Sequence, residues 1–194
     1  MNRELVQWQV IDPSNNCVFP WFTHPFLEVL KTWDIAPATI LEYGGGRSTA
    51  WWRSKSDFVV SIESNQTFAE SIEEECQENK LYNGTVKLSV VNEGDQQRKD
   101  EYVKAYPLLL GGPARYSVVV VDGILRYECI QEGIQLLGKH GGKLIVDNWQ
   151  QDGFICPACA DLLKPYEGHV YRQEDHTDHH GNPWQTAYWE IPAL

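Results

Sequence analysis

Four consecutive valines, Val118 to Val121, lie between turn signals and run straight into Asp122-Gly123. A short, unbroken run of β-branched residues suits a strand buried on both faces, which is how strands of a parallel sheet read. The run belongs to the fourth of a series. Strand-like stretches at 39–43, 58–62, 86–91, 117–121 and 142–146 alternate with helical patterns at 47–55, 66–79, 97–109 and 125–137. Parallel neighbours need a crossover, and helices of this length supply it, so the alternation predicts an α/β fold with right-handed connections.

The two ends depart from this rhythm. Residues 1–20 carry Pro13 and Pro20 and read as an irregular lead-in. A helix is expected over 23–34, with Thr23 as its cap, Pro25 in its first turn, and Phe26, Leu27, Leu30 and Trp33 on one face, before Pro37 breaks the chain. The chain therefore divides into a lead-in with its helix, 1–36, and one domain, 37–194. A helix at 158–166 is followed by strands at 169–173 and 186–191, and the segment 174–185 between them is too short for a helical crossover, which predicts an antiparallel final pair.

Charge narrows the partners. The chain of 194 residues has a formal net charge of −11 and no basic run longer than Arg98-Lys99. Nucleic-acid affinity is built on cations that neutralise phosphates, so nucleic acid is not expected as a partner. No stretch approaches the roughly 20 apolar residues that span a bilayer, so no membrane partner is expected either. The first ten residues lack a signal-peptide core, and the five cysteines read as reduced thiols; both point to the cytoplasm. The oligomeric state stays open, a homodimer included.

The strongest local signal is Glu42-Tyr43-Gly44-Gly45-Gly46-Arg47-Ser48-Thr49, which leaves a strand and enters a helix. Glycines let the backbone turn tightly and let a ligand come close. Glu63, followed by Ser64, ends the next strand about twenty residues on, where a carboxylate can accept from both hydroxyls of a ribose. A dinucleotide would need a third glycine where Thr49 stands, and Glu42 is ill placed beside a pyrophosphate. It suits a cationic ligand better.

On these residues the chain resembles the class I S-adenosylmethionine-dependent methyltransferases. Glu42-x-Gly44-x-Gly46-x-Ser48 is similar to their first motif, Ser61-Ile62-Glu63 to their ribose-binding acid, Val118 to Gly123 to their fourth strand, and Gly141 to Asn148 to their fifth. The likeness covers about residues 35–150. It implies a Rossmann-like fold: a seven-stranded, mostly parallel sheet with an antiparallel last strand and helices on both faces. Glu42, Gly44, Gly46 and Ser48 would hold the methionine part and Glu63 with Ser64 the ribose. Adenosine contacts would follow the third strand, from Glu93 or Asp95, with Asp122 also near the cofactor.

Asp122 after the fourth strand and Asp147-Asn148 after the fifth are further similar to the metal ligands of catechol and caffeoyl-CoA O-methyltransferases. That likeness implies Mg²⁺ or another divalent cation beside a small-molecule acceptor. The alternative is that these residues contact the cofactor or cap loops. A proton must leave an oxygen acceptor, and the metal, Asp122, His176 or His180 could take it. A protein that only binds the cofactor, and a nicotinamide-dependent oxidoreductase, are the rival functions. Cys156-x-x-Cys159 is read as the start of a helix, Trp51-Trp52 as packing, and Glu73-Glu74-Glu75 as a solvated face.

Overall fold

The computed structural model describes residues 17–91, 94–105, 115–150, 157–177 and 181–194. Seven strands form one sheet: β1 (Thr39–Tyr43), β2 (Phe58–Glu63), β3 (Gly84–Leu88), β4 (Val118–Val121), β5 (Gly142–Val146), β6 (Glu167–Thr177) and β7 (Pro183–Ile191). Their order is β3-β2-β1-β4-β5-β7-β6, and only β7 runs antiparallel to its neighbours. The helices are α1 (His24–Leu30), α2 (Arg47–Lys55), α3 (Gln66–Glu78), α4 (Gln96–Val103), α5 (Arg126–Leu137) and α6 (Pro157–Leu163).

Alternation along the strands sorts their side chains into two cores. Leu41, Tyr43, Val60, Ile62, Val119 and Val121 meet α4, α5 and α6 on one face. Ile40, Val59, Val118, Val120, Ile145 and Tyr188 meet α1, α2 and α3 on the other. This double burial is why the strands read as unbroken apolar runs. The described part of the lead-in belongs to the second core, where Phe26 lies 5.5 Å from the ring of Tyr171 and 6.0 Å from that of Tyr188.

Several boundaries differ from expectation. The first helix is one of seven residues, and Thr23 stands at its N-cap position without a side-chain cap bond: its amide donates to Thr186 Oγ1 at 3.0 Å and its hydroxyl to Tyr171 O at 3.4 Å. Tertiary partners on β6 and β7 take over the polar groups a cap would have used. The third strand starts two residues earlier than its apolar run, because pairing with Val59 begins at Gly84. The last two strands are longer than expected, since antiparallel pairing carries β6 to Thr177 across a register shift.

The order of the strands reverses between β1 and β4: β2 lies to one side and β5 to the other. At such a switch point the loops leave the sheet in opposite directions and open a crevice beyond the carboxyl ends of the strands. The glycine turn after β1 and Asp122 after β4 flank it.

Candidate functional site

Backbone contacts build the floor. Tyr43 O accepts from the amides of both Asp122 (2.9 Å) and Gly123 (2.8 Å), and Gly44 donates to Ile62 O at 2.9 Å. The two loops are so close that a Cβ on Gly44, whose φ is +87°, would lie 2.4 Å from Gly123 N. Gly44 and Gly123 are thus required by each other. Gly46 differs: a Cβ there would meet only Ser48 Oγ, at 3.8 Å, so its open side is space that a ligand can use.

Glu42 lies beneath this turn rather than on it. Its carboxyl is fully buried and accepts from Ser48 Oγ (2.6 Å), Thr49 Oγ1 (2.5 Å) and Ser61 Oγ (2.9 Å). Burial pushes its pKa up to about 7, against the pull of the three hydroxyls. The sequence suggested a charge that greets a cationic ligand; the structure gives a buried pin that ties the turn to α2 and β2. In the unfolded chain Glu42 ionises near 4.5 and in the folded chain near 7, so the folded state holds the extra proton between those values. Stability from this group therefore falls as pH rises through that window, by about 3 kcal/mol in full. Urea unfolding of Glu42→Gln is expected to lose that component of the slope between pH 4 and pH 8. Equal slopes in the two proteins would contradict it.

Two adjoining clefts flank the turn, of about 450 and 420 Å³, within the roughly 300–1,000 Å³ of small-molecule sites. They share Gly45, Phe68 and Asp122. The first runs over Gly46, Arg47 and Ser48 towards Trp21 and Glu75. The second runs over Gly44, Glu63, Ser64, Tyr102 and Gly123. Glu63 Oε1 accepts from the amides of Ser64 and Asn65, each at 2.7 Å, while Oε2 has no hydrogen-bond partner among the described residues. Two backbone donors thus fix the carboxylate and leave one oxygen for the cleft.

Asp122, Asp147 and Asn148 do come together, but around a guanidinium. Arg126, in the first turn of α5, donates through Nε to Gly123 O (3.0 Å), through Nη1 to Asp147 O, and through Nη2 to Asp122 O (2.8 Å). Nη2 also lies 3.3 Å from both Asp122 Oδ1 and Asn148 Oδ1. Asp147 Oδ1 accepts from Thr186 Oγ1 at 2.5 Å. One oxygen of each side chain is already engaged, and a divalent cation here would face the guanidinium at close range, so the residues as arranged do not fit a metal. Among the described residues no cluster of acids, histidines and cysteines is arranged to hold one. Desolvation pushes Asp122 up to about 6 with Arg126 opposing it, although 36% of its side chain still meets solvent in the cleft, and burial followed by the Asp122 charge pushes Asp147 well above the carboxylate range.

Other expected residues lie elsewhere. Asp95 caps α4 by accepting from Arg98 N at 3.1 Å, and it lines neither cleft. Glu93, His180 and Cys156 lie outside the described residues. His176 stands in β6 rather than in a loop, its ring 5.0 Å from that of Trp184, and it too lines neither cleft. On the solvated face expected at 73–75, Glu74 is exposed, but the half-buried Glu73 also grips the buried Arg53 (2.8 and 3.3 Å) and the amide of Val86 (2.8 Å). Trp51 and Trp52 are both buried, edge to face at 4.9 Å. Two site residues were missed. Arg126 follows Asp122 at a spacing of four, which puts it on the first turn of the next helix facing back at the acid. Tyr102 gave no signal distinct from an ordinary apolar helix face.

No protein-family model matches the sequence, and no curated protein matches it. Solved structures do. A methyltransferase-like protein from Silicibacter pomeroyi superposes with a TM-score of 0.61 at 18% identity, covering 91% of each chain. An rRNA methylase from Streptococcus thermophilus gives 0.58 at 11% identity, over 87% of this chain and 95% of that one. TYW2 from M. jannaschii, solved in complex with AdoMet, gives 0.55 at 14%, over 94% and 85%. The fold is that of the class I methyltransferases. Within that Rossmann-like class, the antiparallel β7 inserted between β5 and β6 agrees with the expected last strand. Among the described residues, no helix is long and apolar enough to cross a membrane.

Proposed function

We propose that this chain is an S-adenosylmethionine-dependent methyltransferase that methylates a small molecule at oxygen. The observation that carries the reading is the Glu63 carboxylate, which lines the cleft beside the glycine turn, fixed through one oxygen by two amides while the other has no partner among the described residues. That arrangement offers a ribose diol a charged acceptor, and Gly46 leaves room for the rest of the ligand. Ser64 helps to orient Glu63, and Ser48 lines the neighbouring cleft where the methionine part would lie. Of the carboxylates near the turn, Glu63 and Asp122 line the clefts and supply the negative field for a sulfonium, while Glu42 holds the turn in shape.

When bound, the cofactor supplies an electrophilic methyl group. The chain's own task is alignment, exclusion of water and removal of a proton from the acceptor. Asp122 lines both clefts, and its carboxyl, raised to about 6, is ionised at neutral pH yet more basic than a free carboxylate. It is the proton acceptor in this reading, held by Arg126. RNA methylases share the fold, so the fold does not select the acceptor. The charge of −11 supports a small molecule over a polyanion.

Calorimetry with S-adenosylhomocysteine and NADH, followed by transfer of a labelled methyl group to a panel of hydroxylated small molecules and RNA, tests the reading. Binding of the first ligand alone is expected. Transfer should fall as pH drops through about 6, and Asp122→Asn should lower it by about 10²–10⁴-fold and remove that limb. Tight NADH binding would overturn the reading. Binding with no transfer to any acceptor would favour a protein that only holds the cofactor, and labelled RNA would correct the acceptor class.

A further inference from the structure

Tyr102 and Tyr43 lie side by side on the face that packs α4, their rings 6.1 Å apart, yet their hydroxyls are treated differently. Tyr43 donates to Val103 O at 2.7 Å. The Tyr102 hydroxyl is buried and has no hydrogen-bond partner among the described residues. A buried phenol without a partner is costly, and such a group in a folded protein calls for an explanation. Its position supplies one. Tyr102 lines the cleft that holds Glu63, and a Cβ on Gly123 would come within 2.7 Å of its oxygen. Gly123 therefore packs directly against this hydroxyl, as it does against Gly44, at the edge of the cleft. Burial, with Glu63 and Asp122 nearby, raises its pKa strongly, so the hydroxyl keeps its proton and can donate.

We propose that Tyr102 is a cofactor-binding residue whose hydroxyl donates its missing hydrogen bond to the nucleoside of the ligand lying beside Glu63. This rests on the reading of the cleft as a nucleoside site. It makes Tyr102 a discriminator: a nucleoside satisfies the phenol, and an apolar ligand of the same size would leave it unpaired.

The test compares wild-type protein with Tyr102→Phe by calorimetry against S-adenosylhomocysteine and against adenosine, with urea unfolding of the ligand-free proteins alongside. The variant should bind both ligands about tenfold more weakly, because the lost bond belongs to the part they share. Its ligand-free unfolding midpoint should be unchanged or higher, since an unpaired buried hydroxyl has been removed. A lower midpoint would show that the hydroxyl has a structural partner and would overturn the role. Equal affinity of both proteins for S-adenosylhomocysteine would overturn it while leaving the cofactor site intact. A wild-type protein that binds neither ligand would overturn the nucleoside site, and the role of Tyr102 with it.

Discussion

Gly44→Ala is expected to destabilise the protein by roughly 2–5 kcal/mol and to abolish binding of S-adenosylhomocysteine. The added methyl would stand 2.4 Å from Gly123 N and 2.5 Å from Gly123 Cα, and the residue would keep a φ of +87° that a side chain tolerates poorly. Neither atom it strikes is the end of a flexible side chain, so the loops after β1 and β4 must part. That breaks the hydrogen bonds from Asp122 and Gly123 to Tyr43 O and displaces both walls of the crevice at once. Gly46→Ala is the matched control. Its backbone is extended and the new methyl enters open space, so stability should change by less than about 0.5 kcal/mol while ligand affinity falls. Denaturant midpoints of the two variants, with calorimetry on each, check the pair. Equal stability losses would show that the close approach of the loops is not what Gly44 supplies.

Arg126→Ala is expected to cost about 3–5 kcal/mol at pH 8. The guanidinium binds three backbone carbonyls and neighbours the side-chain oxygens of Asp122 and Asn148, and its removal strands all of them around a pair of acids. The sign of the pH effect follows. Arg126 lowers the pKa of both Asp122 and Asp147, so without it both acids hold their protons to higher pH. Around pH 5, where Asp122 is mostly protonated in either protein, the charge part of the loss is absent and the deficit should shrink. Chemical denaturation at the two pH values measures this. A deficit below about 1 kcal/mol at pH 8 would mean that the loops hold their shape without the guanidinium. Two residues beside it, Leu125 (φ +52°) and Asn148 (φ +49°), sit in the left-handed region, a conformation that persists where surrounding contacts over-determine it. Arg126 supplies such contacts to both loops, so the same variant should also loosen the cleft.

How much was legible depended on whether the cause was local. β1, α2 and β5 fall where the sequence placed them, because apolar runs, glycines and helix-forming stretches carry their own instructions. The glycine turn and Glu63 stood out for the same reason: each stands at a strand end, and strand ends can be read. The role of Glu42 could not be, since nothing near it in the chain says that three hydroxyls will close over its carboxyl. Asp122, Asp147 and Asn148 do gather at one place, but around the guanidinium of Arg126, an arrangement that fits a metal poorly. Asp95 looked like an adenine contact and is a helix cap, the more local of its two options.

The chain on its own determined the class of fold, the order of its elements and the place where the crevice opens, because hydrophobic period and turn chemistry act over a few residues. The sheet order decided the rest. Setting β1 beside β4 and β4 beside β5 brings Gly44 against Gly123 and Arg126 against Asp147, pairs that lie far apart in sequence. Whether a carboxyl is charged, a phenol paired or an arginine buried depends on which distant groups replace the lost water, and only the folded arrangement settles that.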